Sequence, residues 1–416
     1  MDDLYSHRCG VCGGFHNELE QEVNFSKEVL SRMLRDIYDG LNVRDEIQRD
    51  AFMETLRLFN EATVKGLEES GYVAGDRLFY EQLRTNNEVF SAFRTHRMQN
   101  DLAARMMDDG GKLKPFDKWV RDVEDITDHY VMRWLRTEYD TAVLRAHQAA
   151  DWKRFEADSD VLPNLRWMPT TSPDPDIYHR QYWEAKLTLP VGHPFWKSHR
   201  PGDRWNCKCS LEATDEPATA GAVADFKPVP QQPGLDNNPA DDGKLFSDSH
   251  PYIANAHPGA EKAVMRLTAE KSIRTIIKRL EDGYSKGDAV MIGRLDNKVK
   301  KFVREKGIEL FTDDVYMTDK QIHHALRTVK QQAGKAVSPE QLAAFPSLME
   351  DCEVYWDERE GNIQFITRQD GKMQKFVVSL NYLTKIQGKK KMVNAFITAG
   401  TIEERNLRML NLIKIK

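Results

Sequence analysis

Apolar residues recur every three or four positions from about residue 25 to residue 155, which predicts helix after helix. Leu30, Met33, Leu34, Ile37, Tyr38 and Leu41 mark one such stripe, and Phe116, Trp119, Val120, Val123, Ile126, Tyr130 and Trp134 mark another. Gly110, Gly111 and Pro115 break the run, and Asp125-Ile126-Thr127-Asp128 leads into a long amphipathic helix reaching about Arg154. Past Leu162 the period is lost. Residues 163–217 are rich in Pro, Trp, His and Tyr and read as a loop-heavy module. Residues 214–255, with many Pro, Gly and Asp, read as an extended linker. Helical spacing returns at 261–280, 297–306 and 318–333. Alternating positions then predict four strands at 353–356, 362–368, 374–381 and 392–398, with turns at Gly361, Gly371 and Gly388.

The expected fold class is therefore α+β. An N-terminal Cys-x-x-Cys segment occupies 1–24, a helix-rich domain with a loop-rich His/Cys module occupies 25–213, and the linker follows. The last domain, 256–416, is expected to pack helices on a four-stranded antiparallel sheet.

Composition narrows the class. The 416 residues are 40% hydrophobic and 30% charged, enough for two or three cores. No run approaches the roughly 18–20 apolar residues of a membrane-spanning helix, so no membrane role is expected. The opening Met-Asp-Asp-Leu-Tyr-Ser-His lacks the basic and apolar regions of a secretory signal. Five cysteines in this length do not make a disulfide framework. The net charge of −5 hides an asymmetry: residues 1–250 carry −13, while residues 251–416 carry +8. The acidic front suits protein docking, and the basic back suits a polyanion such as RNA or DNA.

Candidate chemistry clusters first in the module running from Pro190 to Cys209. Cys207 and Cys209 place two thiols one residue apart, and His193 and His199 complete a set of four N/S donors for a structural zinc. Cys9 and Cys12 form a second pair. The alternative is a small core built on Trp196 and Trp205, with the cysteines as buried small hydrophobes.

The segment His-Pro-Phe-Trp-Lys-Ser-His-Arg-Pro-Gly-Asp-Arg-Trp-Asn-Cys-Lys-Cys (193–209) resembles the signature of the phage Mu F-like minor head proteins, the phage head morphogenesis family. The upstream helix around Thr137-Glu138-Tyr139 is similar to that family's Thr-Glu-Tyr helix. Asp236-Asn237-Asn238-Pro239-Ala240 and His250-Pro251-Tyr252 resemble its trailing elements, in order, across about residues 30–255. One departure is that many relatives carry a Cys-x-x-Cys where this chain has Thr170-Thr171-Ser172-Pro173, so Cys9 and Cys12 would have to supply those thiolates. The resemblance implies a virion protein made in the host bacterial cytoplasm, whose partners are the portal and other head proteins.

The basic C-terminal domain suggests metal-independent ribonuclease chemistry, which needs an acid, a base and cations around a phosphate, and no cofactor. Lys320, His324 and Arg327 share one helix face, with His323 about 100° away. On the sheet, Lys375 and Ser379 alternate onto one face of a strand, and Asn394, Phe396 and Thr398 onto one face of the last. Arg368 adds a cation, and Phe365 or Tyr382 a stacking ring. The layout is similar to the phage barnase/EndoU/colicin/RelE-like nuclease domains. That resemblance implies His324 as acid/base with His323 beside it, Lys375 as phosphate clamp, Thr398 as positioning hydroxyl, and Lys320, Arg327, Arg368 and Ser379 as nucleic-acid contacts. It also implies an immunity protein as a partner. The competing reading is a purely structural virion protein whose last domain binds a partner or nucleic acid without cutting.

Overall fold

Ser26 ends an extended stretch and its hydroxyl accepts from the Val29 amide, starting the helix Lys27–Tyr38. The helices Arg49–Glu69, Arg77–Ala103, Phe116–Asp122 and Trp134–Ala157 follow. The computed structural model describes residues 1–5, 23–71, 77–171, 177–219, 223, 226–227, 229–285, 287–327, 336–369, 372–386, 389–408 and 411–416. Cys9 and Cys12 lie outside these residues. The chain divides into two units, Met1–Glu261 and Lys262–Lys416. No helix among the described residues is long and apolar enough to cross a membrane.

In the first unit the helix Trp134–Ala157 is central. Its buried face alternates small and polar residues: Glu138, Ala142, Arg145, Ala146 and Ala149. Small side chains let the helix Arg49–Glu69 come close. A Cβ on Gly66 would lie 2.2 Å from the Val143 carbonyl oxygen, so only glycine fits there. The five residues before it, His129–Arg133, widen into a π-helix.

The loop-heavy module is built on a three-stranded antiparallel sheet. β1 (Asn164–Met168) lies between β2 (Thr188–Pro190) and β3 (Ser210–Thr214). The stretch expected to be a linker differs from that expectation over its second half. Leu235, Ala240, Phe246, His250 and Tyr252 are buried within the first unit. The reason is physical: the Pro and Gly residues shape turns, while the aromatic rings between them fill the core and the backbone carbonyls face a buried arginine.

The second unit opens with the helix Ala260–Glu281 and is α+β, with seven strands rather than four. β4 (Ala289–Arg294) and β5 (Asp314–Thr318) precede β6 (Glu353–Asp357), β7 (Asn362–Gln369), β8 (Lys372–Ile386), β9 (Lys389–Ile402) and β10 (Leu412–Lys414). The order is β10-β6-β7-β8-β9-β5-β4. All neighbours are antiparallel except β5 and β9, which run parallel. The added strands are short and lie next to helical patterns, where a brief apolar run does not reveal its type. Thr318 ends β5 and caps the helix Asp319–Ala325 through a capping box with Gln321. That helix covers the first part of the helix expected at 318–333, and residues 328–335 lie outside the described ones.

One sheet face carries Val354, Trp356, Ile363, Phe365, Phe376, Val378, Phe396 and Ala399 into the main core, against Ile322 and Ala325 of that helix and Leu342 and Phe345 of the helix Pro339–Leu348. A β-bulge breaks the alternation of β9. Val377 pairs with Thr398, but Val378 pairs with Phe396, so Ile397 is extra. Phe396 and Ala399 therefore both enter the core, and Thr398 does not share a face with Phe396 as strict alternation predicted.

Candidate functional site

His179, Cys207 and Cys209 come together in the first unit. His179 sits on the short helix Ile177–Glu184, and the cysteines lie just before β3. Asn206 adopts a left-handed conformation (φ 62°) that turns the chain at Cys207. The His179 Nδ1 is 3.4 Å from the Cys207 Sγ and 3.8 Å from the Cys209 Sγ. The donor atoms of the three residues all lie within 4.8 Å of one another, and all three residues are buried. On its far side the His179 Nε2 is 2.8 Å from the Asp203 Oδ1, which fixes the ring so that Nδ1 faces the sulfurs.

The electrostatics are those of a donor cluster held away from water. Burial pulls the His179 imidazole down, but the Cys207 sulfur and the Asp203 carboxylate outweigh it and raise it to about 10. The hydrogen bond with Cys209 and then burial push the Cys207 thiol well up. A metal ion replaces those protons as the cluster's positive charge. Two sulfurs and an imidazole, with a carboxylate behind the imidazole, can hold such an ion.

The other two expected ligands stand elsewhere. The His193 Nδ1 accepts from the Phe195 amide at 3.2 Å, and the His199 Nδ1 lies 3.9 Å from the Asp203 Oδ2. Neither joins the cluster. His179 was missed because it lies 28 residues before Cys207. Its only sequence signal was membership of the same aromatic-rich module.

Two buried networks frame this site. Arg145, on the long helix, donates to the carbonyls of Gly202 (2.5 Å), Leu235 (3.3 Å), Asn237 (2.9 Å) and Leu245 (2.6 Å), and to the Asn237 side chain (2.7 Å). Burial and then the neighbouring Arg200 pull its guanidinium below the usual range. The bonded carbonyls take the place of water around it. Two turns N-terminal on the same helix, the Glu138 Oε1 accepts from Tyr5 (2.8 Å) and Tyr252 (2.7 Å), and its Oε2 accepts from the Arg94 Nε (2.6 Å). Arg94 and Glu138 are both fully buried. The His250 Nδ1 accepts from the Tyr252 amide, so its Nε2 carries the proton toward the Tyr5 hydroxyl at 2.9 Å.

In the second unit the expected nuclease residues divide between the sheet faces. Lys375 alternates with the core residue Phe376, and Thr398 pairs with Val377, so both project from the face opposite the core. His323 and His324 ride on the helix whose Ile322 and Ala325 pack into that core. His323 is exposed and His324 half-buried, with Lys320 and Arg327 exposed on the same segment. The sheet thus stands between the histidines and the lysine that were to share one phosphate. Ser379 is half-buried and pairs with Asn362 and Ala395. Arg368 is held by Glu353 at 3.0 Å and Glu404 at 2.7 Å, so two carboxylates neutralise it. Phe365 is buried against Phe345 and cannot stack a base, whereas Tyr382 is 39% exposed.

No protein-family model, no curated protein and no solved structure matches this chain.

Proposed function

We propose that the chain is a minor head protein of the phage Mu F-like kind. In this reading it is a virion component that assembles near the portal, with a zinc-stapled helical unit and a C-terminal unit that binds without cutting. One observation carries the reading. The short elements on which the resemblance rests are the residues that bond one another. Glu138 of the Thr-Glu-Tyr helix takes the hydroxyl of Tyr252 from His250-Pro251-Tyr252. Arg145 of the same helix takes Gly202 from the His/Cys segment and Asn237 from Asp236-Asn237-Asn238-Pro239. Motifs that lie about a hundred residues apart thus form one buried lattice, which gives the whole set a structural reason to occur together.

Zinc is the metal that suits the cluster. With Zn–S of about 2.3 Å and Zn–N of about 2.0 Å, tetrahedral ligand atoms lie roughly 3.5–3.8 Å apart. The sulfur–nitrogen distances of 3.4 and 3.8 Å fit that spacing. His179, Cys207 and Cys209 would hold the ion, and Asp203 would keep His179 oriented. The ion's role is to tie the Ile177–Glu184 helix to the strand that follows the cysteines. For the C-terminal unit, the division of His324 and Lys375 between the two layers favours binding over catalysis, since an acid/base and a phosphate clamp must reach one reacting group.

The test uses the phage or prophage that encodes the chain. Purified heads analysed by mass spectrometry are expected to contain the 48.0 kDa chain in a few copies. Its deletion is expected to leave heads poorly filled with DNA. Heads free of the chain and packaging normally without it would overturn the reading. The purified full chain is expected to carry one zinc, lost in Cys207→Ser, and to leave RNA uncut in EDTA.

A further inference from the structure

We propose that the far end of the β8–β9 hairpin is a DNA-binding ribbon, with duplex DNA seated along Lys385, Lys389, Lys390 and Lys391. The inference rests on the C-terminal unit being a binding module, and it names that module's surface and partner.

Three observations point the same way. First, the ribbon stands free of its neighbours. β7 pairs with β8 only as far as Ser379, and β5 pairs with β9 only at Asn394 and Ala395. From Tyr382 to Ile386 and from Lys389 to Val393 the two strands pair with each other alone. A second bulge, between Ser379 and Tyr382, falls where they leave the sheet, and Asn381 there is left-handed (φ 48°). Five paired rungs give about 17 Å of ribbon.

Second, its charge is of one sign. Residues 371–402 contain six lysines and no Asp or Glu. Lys385, Lys389, Lys390 and Lys391 are all exposed, and among the described residues none has a carboxylate partner. Elsewhere in the unit cations are paired, as in Lys414–Glu353 and Lys306–Glu358. Lys385 and Lys390 lie directly opposite each other, a like-charge cross-strand pair that destabilises a hairpin. A row of phosphates relieves that repulsion.

Third, the two ribbon faces differ. Ile386 and Val393 are buried with Ala395 against Ala289 and Tyr316, which anchors one face. The opposite face presents Lys385, Lys390, Met392 and Leu383, the last 56% exposed. An apolar pair beside lysines on a narrow ribbon matches the B-DNA major groove, about 12 Å wide and open to a two-stranded ribbon. The A-form major groove of duplex RNA is too narrow for it.

The test is fluorescence anisotropy of the full chain on a labelled 20-base-pair DNA duplex, from 50 to 300 mM salt. Its partner is a Lys385→Gln/Lys389→Gln/Lys390→Gln/Lys391→Gln variant. The wild type is expected to bind, and the variant's log–log salt slope is expected to be shallower by about 3, at roughly 0.9 per phosphate lost. The same variant is expected to melt about 1–3 °C higher, because the repulsion is gone, which also shows that it folds. No binding at 50 mM, or an unchanged slope in the variant, overturns the inference. Tighter binding to single-stranded RNA, or to phosphatidylglycerol vesicles, than to the duplex overturns its choice of partner. Cleavage of the probe in EDTA would instead overturn the binding-module reading, so the two failures are distinct.

Discussion

Glu138 and Glu353 are both carboxylate hubs, yet they hold their units in opposite ways. Glu138 gathers Arg94, Tyr5 and Tyr252 in a place fully closed to water. Glu353 gathers Arg368, Lys414 and Tyr355 on a sheet surface, with 28% of its side chain exposed. The contrast extends to whole units. The first buries Arg94, Arg145, Arg200, His96, His179 and His250. Among its described residues, the second buries no lysine, arginine or histidine and relies on an apolar core running from Ile273 to Ala399. Buried charges are held only by satisfied geometry, so they fix one arrangement of the chain. An apolar core supplies stability that tolerates many arrangements.

The largest expected effect tests that contrast directly. Glu138→Ala leaves Arg94 buried without its partner and is expected to cost about 3–5 kcal/mol in the first unit. Glu353→Ala removes as many partners but is expected to cost about 1 kcal/mol or less, because water screens the site. Hydrogen exchange read by mass spectrometry resolves the two units separately. Equal losses would break the comparison.

A smaller effect separates the units by pH. Burial, with Arg94 nearby, holds the His250 imidazole well below its usual range. The unfolded chain takes up that proton from about pH 6.5 downward while the folded unit does not. The stability is therefore whole above pH 6.5 and falls below it, by up to about 1.4 kcal/mol per pH unit. Hydrogen bonds from Lys414, then Arg368 and Tyr355, hold the Glu353 carboxyl down to about 2. Its contribution is whole above the unfolded carboxyl range near pH 4.3 and is lost only as the pH falls toward 2. Acid is thus expected to loosen the first unit while the second stays closed. In His250→Asn the first unit's loss between pH 7.5 and 5.5 is expected to shrink. Coincident opening of both units at pH 5.5 would run against this.

The parts of the molecule legible in the sequence follow the same divide. Helical periodicity marked the long helices, because their apolar stripes recur locally. It missed β4, β5 and β10, each six residues or fewer and defined by partners far along the chain. The bulge at Ile397 was invisible for the same reason, so Phe396 and Thr398 were given one face. Cys207 and Cys209 announced themselves by spacing, whereas His179 joins them only through tertiary folding. The Pro- and Gly-rich stretch was read as a linker because composition does not tell a solvated coil from a chain whose carbonyls ring a buried Arg145. In the second unit, His323, His324, Lys375 and Thr398 looked convergent because helix and strand faces were judged one element at a time.

The smallest expected effect concerns Lys375, half-buried on the face opposite the main core. It pairs across the strands with Ile366 and Gly400, and its own strand places Met373 and Val377 on the same face. Ile366 and Met373 already form a small apolar cluster there with Tyr355. Lys375→Met extends that cluster and removes a charge that has no carboxylate partner among the described residues. Volume is nearly kept, so the change in stability is expected to stay within about 0.5 kcal/mol, as at surface positions generally. A phosphate clamp behaves otherwise: the variant would unfold at the same denaturant concentration yet lose RNA cleavage or a large part of nucleic-acid affinity. A silent Lys375→Met beside a ribbon variant with a changed salt slope would place the second unit's working charge on the hairpin end and leave its sheet face to packing.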